Sequence, residues 1–218
     1  MFYLLFLPIS SVYSAVSDTS LLPFRDATVV KLDVFGEARC PDTTRFLQTQ
    51  LLPVLMELPQ DRVQIYYHPM GIHTSCTAYG GRLECQCHHG DLECLMNQLQ
   101  SCIIAALPNP SDYLPIVVCI QGKESFEDAV NTCLYTNPHP NLDIDFMIRC
   151  AASDLGKHLM LKHALIQYDI APKINWVPWV IINGVRVRAG EYRLLKTLCD
   201  EYLIPQPIEC QIYGQYQQ

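Results

Sequence analysis

The sequence lacks several features that would define a membrane protein, a nucleic-acid-binding protein or an N-glycosylated protein. After residue 14, no apolar stretch approaches the roughly 20 residues that a membrane-spanning helix requires. The 15 Lys and Arg residues are scattered and outnumbered by 22 Asp and Glu, whereas binding to nucleic acid depends on clustered basic side chains. No Asn-x-Ser/Thr site occurs, because Asn109 is followed by Pro110. We therefore expect no membrane span, no nucleic-acid partner and no N-linked sugar.

Residues 1–14 form a short apolar run that ends in small residues, with Val12 and Ser14 where a signal peptidase prefers them. The run has no positively charged start and is too short to cross a bilayer. It predicts a signal peptide, and an uncleaved membrane anchor is the weaker alternative. The remaining residues, 15–218, are predicted to form a single globular domain, because their number and apolar content allow one well-buried core.

The chain contains 11 cysteines, an odd number. A protein that enters the secretory route meets an oxidising compartment, where cysteines pair into disulfides. If all pairs form within the chain, one thiol remains free. The sequence therefore raises the question of which cysteine is kept unpaired.

The N-terminal part of the chain has the pattern of a βαβ unit. Residues 28–35 are rich in β-branched side chains and predict a buried strand. Residues 44–58 carry apolar side chains at helical spacing, with Pro53 as the expected kink, and residues 62–68 alternate as a second strand. This order predicts parallel strands joined by a right-handed crossover.

The C-terminal part predicts a hairpin followed by a helix. Residues 179–182 and 185–187 are short apolar strands joined by Asn183-Gly184, a strong hairpin signal, and residues 192–203 follow as a helix. The two ends together predict an α/β fold with a thioredoxin-like core, βαβ then ββα. Between them, at about 71–173, we predict a large disulfide-stapled helical insertion, whose helices span 92–106, 125–135, 142–150 and 153–168 and are joined by Pro, Asn and Gly breaks.

Cys40 begins the sequence Cys40-Pro41-Asp42-Thr43, which lies between the first strand and the first helix. Unpaired backbone N–H groups and the positive end of the helix dipole stabilise a thiolate at such a position. In a two-cysteine loop, the second sulfur would occupy the place of Thr43 and displace a bound substrate; a hydroxyl can hydrogen-bond to a thiolate but cannot displace a sulfur. The alternative is that Cys40 is one half of a structural disulfide.

Val177 and Pro178 precede the first strand of the late hairpin, and proline at this place must begin the strand or occupy a special turn. In thioredoxin-like folds, this proline is cis and lies against the reactive cysteine, which leaves a backbone edge free for an extended substrate. An ordinary trans proline at a strand entrance is the alternative.

The most specific motif runs from Cys87 to Cys102, with the spacing C-x-H-G-x2-E-C-x2-N-x4-C. It resembles the signature of the gamma-interferon-inducible lysosomal thiol reductase (GILT) family, and the resemblance covers about residues 29–210. It implies a thioredoxin-like enzyme that reduces protein disulfides at acidic pH in the endocytic route. The sequence departs from the family pattern at two positions. His88 stands where the family normally has Gln, and Thr43 stands where it normally has the second active-site cysteine. The second departure affects whether the enzyme can carry out repeated rounds of reduction.

The resemblance also sorts the 11 cysteines into three groups. Cys76 and Cys85 are interpreted as an extra pair in a loop, and Cys40 is left alone. The pairing of the eight family-type cysteines stays open, because eight cysteines allow about 105 arrangements. These eight are Cys87, Cys94, Cys102, Cys119, Cys133, Cys150, Cys199 and Cys210.

A zinc site is an alternative interpretation of this segment, because several residues of zinc-ligand types occur close together, namely Cys85, Cys87, His88, His89 and Cys94. Their spacing is not a usual zinc pattern, and cysteines pair with each other in an oxidising compartment, so we expect no metal. Among the other histidines, His158 and His163 are expected to be surface or partly packed residues.

The leading hypothesis is a thiol-disulfide oxidoreductase in which Cys40 attacks a protein disulfide and Thr43 steadies the thiolate. A small external thiol resolves the mixed disulfide, and no bound cofactor is required. The alternative is a non-catalytic secreted binding protein on the same scaffold, favoured by the missing second sulfur. Without a sugar handle, secretion to the outside is as well supported as lysosomal delivery.

Overall fold

A mixed four-stranded sheet is the centre of the computed structural model, which describes residues 27–80 and 82–215. A separate two-stranded hairpin lies in the predicted insertion. The predicted signal peptide, 1–14, falls outside the described residues. In chain order the strands are β1 (Val30–Gly36), β2 (Val63–Pro69), β3 (Ser75–Tyr79), β4 (Arg82–Gln86), β5 (Trp179–Ile182) and β6 (Val185–Arg186).

Helices cover the sheet and form the insertion. Three of the α-helices are followed directly by a wider, π-helical turn, at Leu47–Leu51, Asn131–Tyr135 and Leu198–Tyr202. Within the described residues, no helix combines the length and apolarity needed to cross a membrane. The α-helices are α1 (Pro41–Phe46), α2 (Leu52–Glu57), α3 (Asp91–Ala106), α4 (Pro110–Ile120), α5 (Phe126–Val130), α6 (Ile144–Ala151), α7 (Asp154–Ile170), α8 (Gly190–Thr197) and α9 (Ile208–Gln215).

The sheet has the order β2-β1-β5-β6, with β1 parallel to β2 and antiparallel to β5. Because β1 is an inner strand, most of its side chains are covered: Val30, Leu32 and Val34 on one face and Asp33 and Phe35 on the other are buried, and only Lys31 is exposed. The β5–β6 hairpin turns at Asn183-Gly184, where both residues have positive φ, of 50° and 81°. Asn and Gly tolerate this left-handed backbone, which two-residue hairpins need. The predicted βαβ and ββα parts of the core are confirmed.

The first helix starts earlier than its apolar spacing predicts. It begins at Pro41 instead of residue 44, because proline suits the first helical position, where its missing N–H would have no partner. The expected irregularity at Pro53 takes the form of the π-helical turn at Leu47–Leu51, just before it. Proline cannot donate to the preceding turn, and a wider turn accommodates this. The early start places Cys40 at the N-cap.

The insertion contains two elements that the sequence analysis did not predict. The first is α4, which lies where Pro-Asn-Pro-Ser-Asp was interpreted as a break. The Asn109 side chain accepts a hydrogen bond from the Ser111 amide, and Pro110 occupies the first turn, so the same residues begin a helix. The second is the β3–β4 hairpin, whose short, largely exposed strands carry no clear apolar alternation.

The C-terminal helices also differ from the prediction. The helix expected at 192–203 begins at Gly190 and ends in the π-helical turn at Leu198–Tyr202. α9, which was not predicted, follows it and is tied back through its Cys210. A short helix of this kind gains its stability from tertiary contacts and from the crosslink more than from its own propensity.

Ten cysteines form five disulfides, and Cys40 is the free one. Cys102–Cys150 closes the longest loop, with a sequence separation of 48, and joins α3 to α6. In the chain-entropy account, such a loop contributes about 4 kcal/mol to stability. The bridges are Cys76–Cys85, Cys87–Cys94, Cys102–Cys150, Cys119–Cys133 and Cys199–Cys210.

His163 is buried, so the expectation of a surface or partly packed residue is wrong for it, whereas His158 is exposed. The His163 Nδ1 lies 3.1 Å from His68 Nδ1, and His68 Nε2 lies 3.2 Å from Asp33 Oδ1. Burial, reinforced by the neighbouring charge of His68, lowers the pKa of His163 to about 3. His163 is therefore neutral in the folded protein at any physiological pH.

The buried His163 predicts a loss of stability in acid. In the unfolded chain this residue takes up a proton below about pH 6.5, but in the folded chain it stays neutral. The contribution of neutral His163 to the unfolding free energy is therefore complete above that pH and declines as the pH falls. At pH 5 the loss is about 2 kcal/mol of unfolding free energy. In His163→Asn, which keeps a polar partner for His68, the difference in unfolding free energy between pH 7.5 and pH 5 should shrink by that amount. Urea titrations measure it.

The exposed His158, on the same helix, supplies the control for this prediction. His158→Asn should keep the pH dependence of the wild type. An unchanged pH dependence in His163→Asn would contradict the assignment of a neutral, buried His163.

Candidate active site

Cys40 lies at the junction between β1 and α1, where it is the N-cap of the helix. Its backbone is extended, with φ −72° and ψ 121°, and its carbonyl oxygen accepts the first helical hydrogen bond from the Thr44 amide at 3.0 Å. Pro41 has no N–H, so the unpaired amides of the first turn belong to the residues after it. The side chain is 9% exposed, which places the sulfur at the surface edge of the core.

The structure brings Cys40 together with both residues predicted to bind substrate. The Cys40 thiol lies 3.9 Å from the carbonyl oxygen of Val177, and the Val177–Pro178 peptide bond is cis. Pro178 directly precedes β5, which pairs with β1, so two neighbouring strands deliver the two parts of the site. The start of β5 and the start of α1 therefore meet next to the end of β1.

Thr43 lies one turn into the helix and is fully buried. Its hydroxyl oxygen accepts a hydrogen bond from the Glu37 amide at 3.4 Å, so it contacts the loop before Cys40. Gly36 ends β1 beneath it, and any side chain at position 36 would meet Thr43 and Tyr67. This close approach of helix and strand requires glycine at that point.

The loop that carries Cys40 is held by the insertion. Asn97 on α3 accepts a hydrogen bond from the Ala38 amide at 3.0 Å, and the Gln121 side-chain amide donates to the carbonyl of Glu37. The Gly122 amide donates to the Ala38 carbonyl at 2.8 Å. Asn97 is the asparagine of the C-x-H-G-x2-E-C-x2-N-x4-C motif, so its place in the motif has a structural reason that the sequence analysis did not identify.

Tyr67 on β2 also borders this region and was not predicted as a site residue. Its hydroxyl is buried and has no hydrogen-bond partner among the described residues. Burial raises its pKa well above the ordinary value, and the negative charges of Cys40 and Glu37 add to this effect. Tyr67 thus stays protonated and keeps an unused O–H donor below the active-site loop.

A cavity of about 250 Å³ lies beside Pro178. It is called the Trp176 cavity here. Trp176 and Tyr192 expose 45% and 69% of their surface, so the cavity offers aromatic area to a bound molecule. Its wall includes the first two turns of the active-site helix. Its lining includes Asp42, Arg45, Trp176, Pro178, Glu191 and Tyr192.

The cysteines and histidines that the sequence offers as zinc ligands do not form one cluster of free ligands, because disulfides take up the cysteines. Cys85, Cys87 and Cys94 are all bonded to other cysteines and are not available as metal ligands. His88 and His89 instead converge on Glu37, a buried carboxylate from the Cys40 loop. Sequence spacing gave no signal for this contact, because 51 residues separate His88 from Glu37.

A strand-loop-helix thiol site on this sheet defines a thioredoxin-like fold, and the comparisons agree. The DsbA of Chlamydia trachomatis superposes with a TM-score of 0.52 at 13% identity, covering 73% of this chain and 77% of that one. A sequence model described as "Gamma interferon inducible lysosomal thiol reductase (GILT)" matches residues 31–137. A GILT-like protein of Caenorhabditis elegans is 40% identical over 185 residues, which are 84% of each chain.

A more distant relative is the gamma-interferon-inducible lysosomal thiol reductase of Carassius auratus, 27% identical over 189 residues, or 85% of this chain and 73% of that one. The chain belongs to the GILT family. The predicted family and the thioredoxin-like fold class are thereby confirmed, and together they support a thiol-reductase kind of function.

Proposed function

We propose that the protein reduces disulfides in protein substrates through the single nucleophilic sulfur of Cys40. The thiolate attacks one sulfur of a substrate disulfide, the substrate S–S bond breaks, and the departing sulfur takes up a proton. A mixed disulfide between Cys40 and the substrate remains. Two molecules of a small external thiol then release the second substrate thiol and leave as their own disulfide, which regenerates Cys40.

One observation carries this proposal: the free cysteine stands at a helix N-cap beside the Val177 carbonyl and the cis Pro178. The thiolate form of a cysteine is the nucleophile in disulfide exchange. Val177 precedes β5 and lies beside the thiol, so its backbone is the proposed pairing partner for an extended substrate before the sulfurs meet.

Because the chain has no second active-site sulfur, the proposal predicts a particular time course of disulfide reduction. Without external thiol, each protein molecule should react with one substrate disulfide and then stop, because nothing in the chain displaces the mixed disulfide. A rapid-mixing assay with a fluorogenic disulfide peptide should show a burst of about one equivalent, followed by turnover only after glutathione or cysteine is added. Sustained turnover without external thiol, or no burst at all, would contradict the proposal.

The Trp176 cavity is the proposed contact for the substrate chain next to its disulfide. Trp176→Ala should raise KM for the disulfide peptide about fivefold with little change in kcat, because an aromatic contact contributes about 1 kcal/mol to binding. Tyr168, an aromatic residue that is 80% exposed on α7, is the matched control. Tyr168→Ala should leave both constants unchanged, and equal effects of the two substitutions would contradict the assignment.

A non-catalytic binding protein on the same scaffold is the second candidate. Thr43 cannot resolve a mixed disulfide, and Cys40 is 9% exposed, which favours slow capture over turnover. The two candidates differ in the assay above: a binder forms no mixed disulfide, or forms one that external thiol does not release into reduced product.

The proposal also includes the cellular compartment in which the protein acts. We infer removal of residues 1–14 and a mature domain of 15–218 that is secreted or delivered to lysosomes. Five disulfides fit an oxidising route of maturation. N-terminal sequencing of protein recovered from cell medium and from lysosomes tests both points, since each fraction should begin at residue 15 if this cleavage site is used.

A further inference from the structure

Two histidines and one buried carboxylate converge on a point next to the Cys40 loop. His88 Nδ1 lies 3.3 Å from Glu37 Oε2, and His89 Nδ1 lies 3.5 Å from the same oxygen. One ligand atom from each residue falls within 4.8 Å of the others. We propose that Glu37, His88 and His89 bind one divalent transition-metal ion, and that Zn²⁺ is the ion this set fits best.

The two distances from the histidine nitrogens to Glu37 match the separation of ligand atoms on a tetrahedral zinc ion. Zinc binds imidazole nitrogen and carboxylate oxygen at about 2.0–2.1 Å, which places two ligand atoms about 3.3–3.4 Å apart at the tetrahedral angle. The two distances to Glu37 Oε2 are 3.3 and 3.5 Å. Two imidazoles with a carboxylate form the ligand set of open zinc sites, in which water or another ligand takes the fourth position.

Hydrogen bonding alone does not account for the arrangement. His89 Nδ1 already has a partner, Glu93 Oε2, at 2.6 Å, so its approach to Glu37 is not a second strong hydrogen bond. Glu37 is fully buried, and its other oxygen, Oε1, has no hydrogen-bond partner among the described residues. A buried carboxylate oxygen without a partner is costly unless a cation or a proton satisfies it.

The local charge also favours a cation. Glu93 is a second carboxylate with no exposed surface. Two neighbouring anions in a low-dielectric region attract a divalent ion strongly, and no Lys or Arg makes an ion pair with either carboxylate in the described part of the chain.

The histidines are presented on a constrained and accessible loop. The Cys87–Cys94 disulfide closes the segment that contains both of them, so few conformations are lost when an ion binds. Their side chains are 39% and 33% exposed, which gives an ion a path from solvent. A third imidazole, His73, lies at the rim, with its ring centre 5.3 Å from that of His88.

Glu93 has a defined part in this site. In the ion-free arrangement, the His89 backbone amide and ring each donate to one Glu93 oxygen. Metal binding displaces the ring proton from His89 Nδ1, since a ligating nitrogen must carry a free lone pair. Glu93 Oε2 is then the adjacent oxygen for the fourth position.

Calorimetric titration with ZnCl₂ tests the site directly. Cys40→Ser serves as the parent, because it removes the free thiol, an alternative zinc ligand, and any affinity tag is removed beforehand. We expect one ion per chain, and His88→Gln or His89→Gln should weaken binding at least about tenfold, the loss seen even for supporting residues around metals. His158→Gln, an exposed histidine outside the cluster, should bind like the parent.

Co²⁺ provides a second measurement that does not depend on heat or on activity. A tetrahedral Co²⁺ site gives visible absorption, which should appear in the parent and be lost in His88→Gln, a substitution at an exposed position that should not disturb folding. Two outcomes overturn the proposal: the absence of saturable binding by the parent, or equal affinity in the parent and in both histidine variants.

Discussion

Cys40→Ser is expected to lower disulfide reduction to the background rate of the external thiol alone. The hydroxyl that replaces the thiol is not ionised near neutral pH and does not attack sulfur, so the first step has no nucleophile. The ten other cysteines are bonded to each other and offer no substitute. The measurement is the initial rate of peptide-disulfide reduction as a function of external thiol concentration, for the wild type and the variant side by side.

The control for this prediction is the integrity of the fold. Cys40 takes part in no bridge, so Cys40→Ser should retain all five disulfides by non-reducing mass mapping and should unfold at the wild-type urea concentration. A variant that is intact by these measures and still reduces disulfides at the wild-type rate contradicts the proposed function.

Thr43→Cys is expected to speed the release of reduced substrate at low external thiol. A sulfur three residues after Cys40 attacks the mixed disulfide within the molecule, at an effective concentration in the millimolar range or above, and two molecules of external thiol then reduce the disulfide that forms between the two active-site sulfurs. With external thiol at about 0.1 mM, the rate at which the second substrate thiol leaves the mixed disulfide should therefore rise about tenfold or more. At high external thiol the two proteins should converge, because the intermolecular step is then no longer limiting.

Thr43→Ser is the matched control for that gain. It keeps the hydroxyl and removes only a methyl group, so it should turn over at the wild-type rate at every thiol concentration. Thr43 is fully buried, and cysteine is smaller than threonine, so the active variant should fit without displacing Gly36 or Tyr67. Equal rates for Thr43→Cys and Thr43→Ser at low thiol would show that resolution is not the missing step.

The central sheet was predictable because its signals are local. The β-branched run before Cys40 and the Asn183-Gly184 turn each depend on neighbouring residues, and both elements formed as expected. α4 was missed because Asn109 and Pro110, which form a helix start, occur equally in loops. His163 was missed because its burial depends on contacts with His68, 95 residues away.

The contacts of the candidate site also fall into those that neighbouring residues predict and those that join distant parts of the chain. The position of Cys40 before a helix follows from adjacent residues, and the structure places it where the sequence analysis expected. Its contact with Val177 spans 137 residues and was reached through the fold class. The hydrogen bond from Ala38 to Asn97 and the approach of His88 to Glu37 gave no signal in the sequence, because they join residues that are 59 and 51 positions apart in the chain.

Mass mapping of the trapped intermediate tests the central claim most directly. The wild-type protein is mixed with an oxidised peptide in the absence of external thiol, quenched in acid and digested without reduction. We predict one cross-link, between Cys40 and the peptide, with the five internal bridges unchanged. Recovery of Cys40 without the peptide, or within an internal bridge, would contradict the account.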